Sequence, residues 1–277
     1  MAQTQGVQTL GGKASPLLVA DGVTLQYKTT DHLVTATWRV SFEVFTGERF
    51  VLLGPSGCGK STLLKAVGGY MAPTEGCIRL KGEVVRQPGP DRMMVFQEFD
   101  QLLPWKTVRD NVMFPLMVSG KMSAADAAER AHEYIDKVNL TPYAGQYPHT
   151  LSGGMKQRTA IARALAMEPK VLLMDEPFAA LDALTRRKMQ EELVALWEEV
   201  GFTVIFVTHS IEEALLVGSR ILVLSPHPGR VKAELNAHNL GFSSIGTPEF
   251  EALHRRIHDL LFTDKIETDL APEAAHG

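Results

Sequence analysis

The chain has 277 residues, of which 45% are hydrophobic, and this is enough to build a buried core in one large domain or two small ones. Its formal net charge is −4 with acidic and basic residues mixed throughout, and the absence of a Lys/Arg run argues against nucleic acid as a partner. The two cysteines, Cys58 and Cys77, are too few for a disulfide framework and favour a reducing compartment.

The N-terminal part of the chain predicts a flexible segment followed by antiparallel strands. Residues 1–16 lack the basic and apolar regions of a signal peptide, and we expect them to be flexible. Further along, no apolar run approaches the roughly 20 residues that a membrane-spanning helix needs. Between residues 17 and 50, the stretches VTLQY, LVTATW and RVSFEV alternate apolar and polar residues. This alternation is typical of antiparallel strands with one solvated face.

A short apolar run, FVLLG, ends at a segment that matches the phosphate-binding loop G-x-x-x-x-G-K-[ST] in full. Glycines let the backbone N–H groups turn around a phosphate, and the helix that follows adds the positive end of its dipole. A glycine-rich turn without a ligand is the alternative, and the position of the motif between a strand and a helix argues against it. The residues predicted to bind nucleotide here are Gly54, Pro55, Ser56, Gly57, Cys58, Gly59, Lys60, Ser61 and Thr62.

Two side chains of this loop have more specific predicted roles. The Lys60 ammonium would reach the β and γ phosphates of the nucleotide, and the Ser61 hydroxyl would ligate Mg²⁺.

The rest of the chain predicts an α/β fold. Residues 99–166 are helical in pattern, and the buried-strand candidates KVLLMDEP, FTVIFVTH and RILVLS follow, separated by helical stretches. Strands alternating with helices imply a mainly parallel sheet. We therefore predict a phosphate-loop NTPase core with a mainly parallel sheet, an N-terminal antiparallel β part and a helical insert. A last helix ends near residue 262, and residues 263–277 are expected to be a flexible tail.

Two acidic residues end the strand KVLLMDEP. Asp175 can hold Mg²⁺ directly or through water, and Glu176 can polarise an attacking water as a general base. Alone, the pair would fit an ordinary strand end with two solvated acids equally well. A phosphate loop in the same chain favours the catalytic interpretation.

The stretch TLSGGMKQR predicts a second anion-binding helix start, in which Ser152 caps the helix and Gly153 and Gly154 expose backbone N–H groups. A chain that binds one γ-phosphate at its phosphate loop does not need a second anion-binding helix start for the same phosphate. The stretch resembles the signature sequence of ABC transporter ATPases, although a merely capped helix is the alternative. In that family the signature of one subunit closes over the ATP held by another, which implies a dimer of this chain around two MgATP. Position 155 is methionine where the family usually has glutamine.

Four further residues are similar to motifs of that family, in its order. Gln97 resembles the Q-loop glutamine, which ligates Mg²⁺ or the attacking water, and its alternative is a polar strand end. Asp182 resembles the D-loop residue that signals across the dimer, and its alternative is a helix N-cap. His209 resembles the switch histidine that contacts the γ-phosphate, although a lone strand-end histidine is more often structural. Tyr27 resembles the aromatic that stacks on adenine, and a core tyrosine is nearly as good an explanation.

The resemblance covers about residues 17–230, and we place the ABC ATPase domain at 17–262 with a helical subdomain at about 99–166. LLPWKTVRDNVMFPL and LVLSPHPGRV look like segments from ATPase subunits of importers for nitrate, taurine, other sulfonates and related anions. This implies an ATPase that drives a separate membrane permease from the cytoplasmic face of the inner membrane, where it sits peripherally. A solute-binding protein would take part indirectly, and nucleic acid would not.

Within the helical insert, the segment 99–106 carries Leu102, Leu103 and Trp105, and we hypothesise that it lines the groove for a permease helix. The alternative is that Trp105 fills the core of the insert.

Two other classes of protein remain as alternatives. A soluble ABC ATPase of DNA repair or translation would usually carry two cassettes or a long coiled coil, and this chain has one cassette and no heptad run. A small-molecule kinase or a GTPase would share the phosphate loop, but the chain has no N-K-x-D motif for reading guanine.

Overall fold

The computed structural model describes residues 15–28, 33–120 and 122–262. Residues 1–14 of the expected flexible N-terminus, and the whole expected tail, lie outside the described residues. The strands are β1 (Leu18–Lys28), β2 (Leu33–Val44), β3 (Arg49–Leu53), β4 (Glu75–Leu80), β5 (Glu83–Val84), β6 (Arg92–Val95), β7 (Val171–Asp175), β8 (Val204–Thr208), β9 (Arg220–Leu224) and β10 (Val231–Asn236). The helices are α1 (Lys60–Val67), α2 (Val108–Val118), α3 (Ala124–Lys137), α4 (Gly153–Leu165), α5 (Ala183–Val200), α6 (Ile211–Val217) and α7 (Pro248–Phe262).

The predicted mainly parallel sheet is present and has six strands in the order β10-β9-β3-β8-β7-β6. Its strands are parallel except for β10, which pairs antiparallel with β9 at one edge. Every residue of β3 and β8 is buried, as expected for central strands that are covered on both faces. Because neighbouring parallel strands end at the same side of a sheet, the residues that follow β3, β8, β7 and β6 line one edge.

Side chains of β3 alternate between two hydrophobic cores. Val51 and Leu53 face a core shared with the helical part of the chain, whereas Phe50 and Leu52 face a core shared with the N-terminal strands and α1. This alternation follows from the two-residue period of a strand. The central strand therefore fixes both layers relative to the loop that begins at its end.

The N-terminal β part is a four-stranded antiparallel sheet in the order β2-β1-β4-β5. The stretches LVTATW and RVSFEV, predicted as two strands, form the single strand β2. Arg39 lies between them with a φ of 48°, and the pairing of β1 with β2 shifts its register nearby. An irregularity of this kind re-aims the side chains without ending the strand.

The helical part lies between β6 and β7 and contains α2, α3 and α4, all within the predicted insert. Thr107 and Ser123 cap α2 and α3 by accepting hydrogen bonds from backbone N–H groups in the first turn. Among the described helices, none is long and apolar enough to span a bilayer.

Candidate active site

The phosphate loop connects β3 to α1, as the motif requires. Lys60 Nζ donates to the carbonyl oxygens of Gly54 (2.8 Å) and Pro55 (2.9 Å), so the ammonium lies inside the loop. Gly59 has a φ of 93°, and a Cβ at this position would lie 2.6 Å from the carbonyl oxygen of Ala36 on β2. Glycine at this position therefore allows β2 to support the loop closely.

The candidate magnesium ligands Ser61 and Asp175 meet at the end of two strands. Ser61 Oγ donates to Asp175 Oδ1 at 2.7 Å, across 114 positions of sequence. Burial raises the pKa of Asp175, and the hydrogen bond from Ser61 opposes this effect. A hydroxyl and a carboxylate are hard oxygen donors of the kind that Mg²⁺ prefers. These two residues fit a magnesium site that the phosphate oxygens of a nucleotide would complete.

The candidate general base Glu176 contacts the candidate switch histidine directly. Glu176 Oε2 lies 2.9 Å from His209 Nδ1, and their side chains are 18% and 53% exposed. Glu176 has a φ of 45°, in the left-handed region that a non-glycine residue adopts at a cost of about 1–3 kcal/mol. Its backbone N–H donates to Val207 O on β8, which holds the strained residue beside His209. Strain held in place beside a carboxylate and a histidine is typical of a functional site.

Gln97 follows β6 and is exposed, while the backbone beside it is fixed by two other glutamines. Gln101 exchanges hydrogen bonds with both backbone groups of Phe96, at 3.2 and 2.9 Å. Gln157 of α4 is fully buried and donates to Phe96 O at 3.4 Å. Sequence reasoning missed Gln101 and Gln157, because a lone glutamine in a helix or loop carries no local signal for such a contact.

The predicted cap of the second anion-binding helix is present. Ser152 Oγ accepts from Met155 N–H at 3.3 Å, and Ser152 is exposed at the start of α4. Gly154 is buried, and a Cβ there would lie 3.1 Å from the Thr185 side chain of α5. Met155 is half-buried and packs against the core of the helical part. The cap of this helix is therefore formed by Ser152 and the Met155 backbone, independently of the Met155 side chain.

Asp182 caps α5, as its structural alternative predicted. Its Oδ1 accepts from Thr185 N–H at 3.0 Å, and this backbone hydrogen bond lowers the pKa of Asp182. Tyr27 is half-exposed near the end of β1 and pairs with Val34 of β2, so it is not a core tyrosine. In the described parts of the chain, no hydrogen bond joins Asp182, Tyr27, Gln97 or the Ser152 region to the Lys60, Asp175 or Glu176 side chains.

The segment hypothesised to face a permease divides into buried and exposed residues. Leu102 is buried in the helical core, which corrects its predicted place in a groove, and Leu103 is half-buried. Trp105 is 71% exposed, which rules out the alternative that it fills that core. Asn111 of α2 is fully buried and holds the loop: it accepts from Leu103 N–H (2.8 Å) and donates to Leu103 O, Lys106 O and Thr107 O (3.0–3.1 Å).

Together, the sheet and the residues along its carboxyl edge define a phosphate-loop nucleoside triphosphatase. The parallel strands β3, β8 and β7 are neighbours in the sheet. The phosphate loop follows β3, the candidate histidine His209 follows β8, and the candidate magnesium ligand Asp175 and candidate base Glu176 lie at the end of β7. Crevices at this edge are where α/β sheets bind nucleotides.

Comparison with known proteins identifies a family within the phosphate-loop nucleoside triphosphatases. The ABC transporter family model matches residues 38–179. The chain is 48% identical over 236 residues to the taurine import ATP-binding protein TauB of Rhizobium johnstonii, covering 82% of this chain and 89% of that protein. It is also 45% identical over 215 residues to an uncharacterized ABC transporter ATP-binding protein, MJ0412, of Methanocaldococcus jannaschii, covering 78% and 80%.

Solved structures of ABC transporter proteins are also similar to this chain. A dimeric post-hydrolysis state of the ATP-binding cassette MJ0796 bound to ADP and Pi is 34% identical, with a TM-score of 0.68, and covers 79% of this chain and 98% of that one. The protein cbiO1 of Clostridium perfringens, part of the ABC transporter complex cbiONQ, is 26% identical with a TM-score of 0.72, covering 92% and 98%. The chain belongs to the ABC transporter family and is an ATP-binding cassette ATPase.

Proposed function

We propose that this chain is the ATP-hydrolysing subunit of an importer for a small organic or inorganic anion of the taurine, sulfonate or nitrate type. The observation that carries the ATPase part is the geometry at the sheet edge, where Ser61 meets Asp175 and Glu176 meets His209. The substrate class rests on the likeness to taurine import proteins.

In this proposal the chain's own residues bind and orient ATP. The phosphate loop surrounds the β and γ phosphates with N–H groups, and Lys60 adds a positive charge. Ser61, Asp175 and Gln97 would hold Mg²⁺, which supplies charge neutralisation at the phosphate oxygens. Tyr27, half-exposed near the end of β1, is proposed to stack on the adenine.

Glu176 and His209 are proposed to serve the hydrolytic step. The Glu176 carboxylate would accept a proton from the water that attacks the γ-phosphate, as general bases do. His209, whose Nδ1 contacts Glu176, would use its ring to contact the γ-phosphate and keep the carboxylate oriented. Both follow neighbouring strands, so small shifts of the sheet edge move them together.

Two copies of the chain are proposed to close over two ATP molecules. The exposed cap Ser152 and the N–H groups of Gly153 and Gly154 would contact the γ-phosphate bound by the partner. Asp182 is exposed at the start of α5, where a signal across the dimer would need it.

The permease is proposed to contact the loop that carries Trp105. An exposed tryptophan on a loop that a buried asparagine holds rigid is a good anchor, because tryptophan is enriched at interface hot spots and little ordering is needed on binding. The complex would place this chain at the cytoplasmic face of the membrane, with a separate solute-binding protein acting on the other side.

Co-purification with the permease tests this arrangement. Trp105→Ala should leave folding and basal ATPase activity intact and should abolish recovery of the permease. Phe262→Ala, which removes another partly exposed aromatic residue at the end of α7, is the matched control and should recover the permease normally. Recovery of the complex with Trp105→Ala would contradict the proposed contact.

Transport by the purified complex tests the substrate class. In vesicles with its permease and binding protein, the complex should couple ATP hydrolysis to uptake of radiolabelled taurine, nitrate or an alkylsulfonate. Uptake only of solutes that carry neither a sulfonate nor a nitrate-like group would contradict the substrate assignment. Salt-sensitive binding of the isolated chain to nucleic acid would instead favour the alternative class.

A further inference from the structure

The residue that carries this inference is Glu213, a carboxylate that the proposed reaction leaves unused. Glu213 lies on α6 and is 8% exposed. A buried carboxylate is expensive unless its oxygens are hydrogen-bonded. Burial accordingly raises the pKa of Glu213, and hydrogen bonds from Thr208 and Gln190 oppose this effect. Its neighbour Glu212 is exposed.

Hydrogen bonds connect Glu213 to the residues on both sides of His209. Thr208 Oγ accepts from Ser210 N–H at 3.0 Å, and Thr208 and Glu213 line the same small cavity. Glu213 N–H in turn donates to Ser210 Oγ at 3.2 Å. Glu213 is therefore tied to Ser210 directly and to Thr208 through Ser210.

Glu213 is also tied to α5. Gln190 Nε2 of this helix donates to Glu213 Oε1 at 2.8 Å, and both side chains are buried. One turn earlier on α5, the Arg186 guanidinium donates to the backbone oxygens of Leu181 (2.8 Å), Phe178 (3.2 Å) and Ala179 (3.4 Å). These oxygens belong to the loop that directly follows Glu176.

The contacts close a ring. It runs from Glu176 through its own loop to Arg186, along α5 to Gln190, across to Glu213 and through Ser210 to His209. The His209–Glu176 contact of 2.9 Å closes it. A cavity of about 60 Å³ lies between these groups and is lined by Glu176, Ala179, Arg186, Thr208, His209, Ser210 and Glu213.

We propose that Glu213 is a positioning residue for ATP hydrolysis, which holds His209 against Glu176 by fixing Ser210 and the start of α6 to α5. The proposal rests on the proposed roles of Glu176 and His209. His209 is half-exposed, so its own packing does little to fix its ring, and the buried network beneath it supplies the rigidity. A loss of alignment of about 1 Å in such a group can cost on the order of a hundredfold in rate.

A double-mutant cycle tests the proposal. Glu213→Ala should lower kcat by about tenfold or more and leave the KM for ATP within about threefold, because alignment and not nucleotide binding is lost. In the His209→Ala background, Glu213→Ala should lower kcat by less than about twofold further, because its effect passes through His209. A purely structural residue would lower activity equally in both backgrounds.

Two matched variants complete the experiment. Glu213→Gln should keep kcat within about threefold of wild type, because its amide oxygen can still accept from Gln190 Nε2. Glu212→Ala removes the neighbouring exposed acid and should have no effect. If Glu213→Ala fails to fold, Gln190→Ala breaks the same network from α5, and its effect must likewise disappear in the His209→Ala background.

The outcomes separate this inference from the proposed function. If His209→Ala lowers kcat, but the fold-losses in kcat from Glu213→Ala and His209→Ala multiply in the double mutant, the positioning role of Glu213 is overturned and the catalytic role of His209 stands. Full activity of His209→Ala would overturn both.

Discussion

Asn111 gives the most direct prediction about the proposed permease surface. Its side chain is buried and bridges α2 to the loop that carries Trp105. The amide has two N–H donors and accepts from Leu103 N–H, so it forms at least three hydrogen bonds. At about 0.5–1.5 kcal/mol each, their loss in Asn111→Ala should lower the free energy of unfolding by about 1.5–4.5 kcal/mol.

Asn111→Asp is the control that separates hydrogen bonding from side-chain volume. Aspartate keeps the shape and can still accept from Leu103 N–H, but its second oxygen faces the carbonyl oxygens of Leu103, Lys106 and Thr107. We expect it to destabilise the chain at least as much as alanine does, since an ionised carboxylate would be buried with the Leu103 N–H as its donor and three carbonyl oxygens close to it.

Urea titration would give both free energies, and limited proteolysis would report opening of the loop. Nucleotide affinity should not change in either variant, because Asn111 lies on α2 in the helical part, whereas the phosphate loop connects β3 to α1. Permease recovery should fall, as for Trp105→Ala. If both variants unfold within about 0.5 kcal/mol of wild type, the hydrogen bonds contribute nothing and the argument for a rigid loop is wrong.

Three further predictions concern the nucleotide site. Glu176→Gln should bind ATP normally, lose roughly 10²–10⁴-fold in turnover and accumulate as an ATP-bound dimer in gel filtration, whereas turnover within about threefold of wild type would contradict a general base. Asp175→Asn should lose Mg²⁺-dependent ATP binding and should raise the Tm in magnesium-free buffer at neutral pH, because burial raises the pKa of Asp175 and disfavours its ionised form. The gain in Tm should vanish below about pH 3.9, where the carboxyl is neutral in the folded and the unfolded chain. A Tm gain that persists at that pH would point to another cause. Met155→Gln should change the ATP concentration for half-maximal hydrolysis by less than about tenfold, whereas Ser152→Arg should abolish hydrolysis and spare ATP binding to the monomer; an inactive wild type that Met155→Gln activates would refute this view of Met155.

Much of the candidate site was readable in the sequence because its motifs are contiguous. The phosphate loop around Lys60 needs a strand, glycines and a helix in direct succession, and the structure has them in that order. The caps Ser152 and Asp182 act within three residues of themselves, so local sequence was sufficient to identify both. Parallel strands also made the meeting of Ser61 with Asp175 predictable in kind, since both follow strand ends on one edge of the sheet.

Local patterns were insufficient where the outcome depended on distant contacts. The sequence predicted LVTATW and RVSFEV as separate strands, but pairing with β1 carries the chain through Arg39 as one strand. Leu102 and Trp105 look alike as large apolar residues in a loop, and only packing against α2 and α4 buries one and exposes the other.

By itself, the sequence determined the class of chemistry, because phosphate binding, magnesium ligation and helix capping each need particular residue types at short, fixed spacings. The tertiary structure alone decided which polar residues support that chemistry. Gln157 contacts Phe96 across 61 positions, and Gln190 contacts Glu213 across 23. A buried polar side chain must find its partner wherever the packed fold places one, and that partner's position is set by the whole sheet rather than by neighbouring residues.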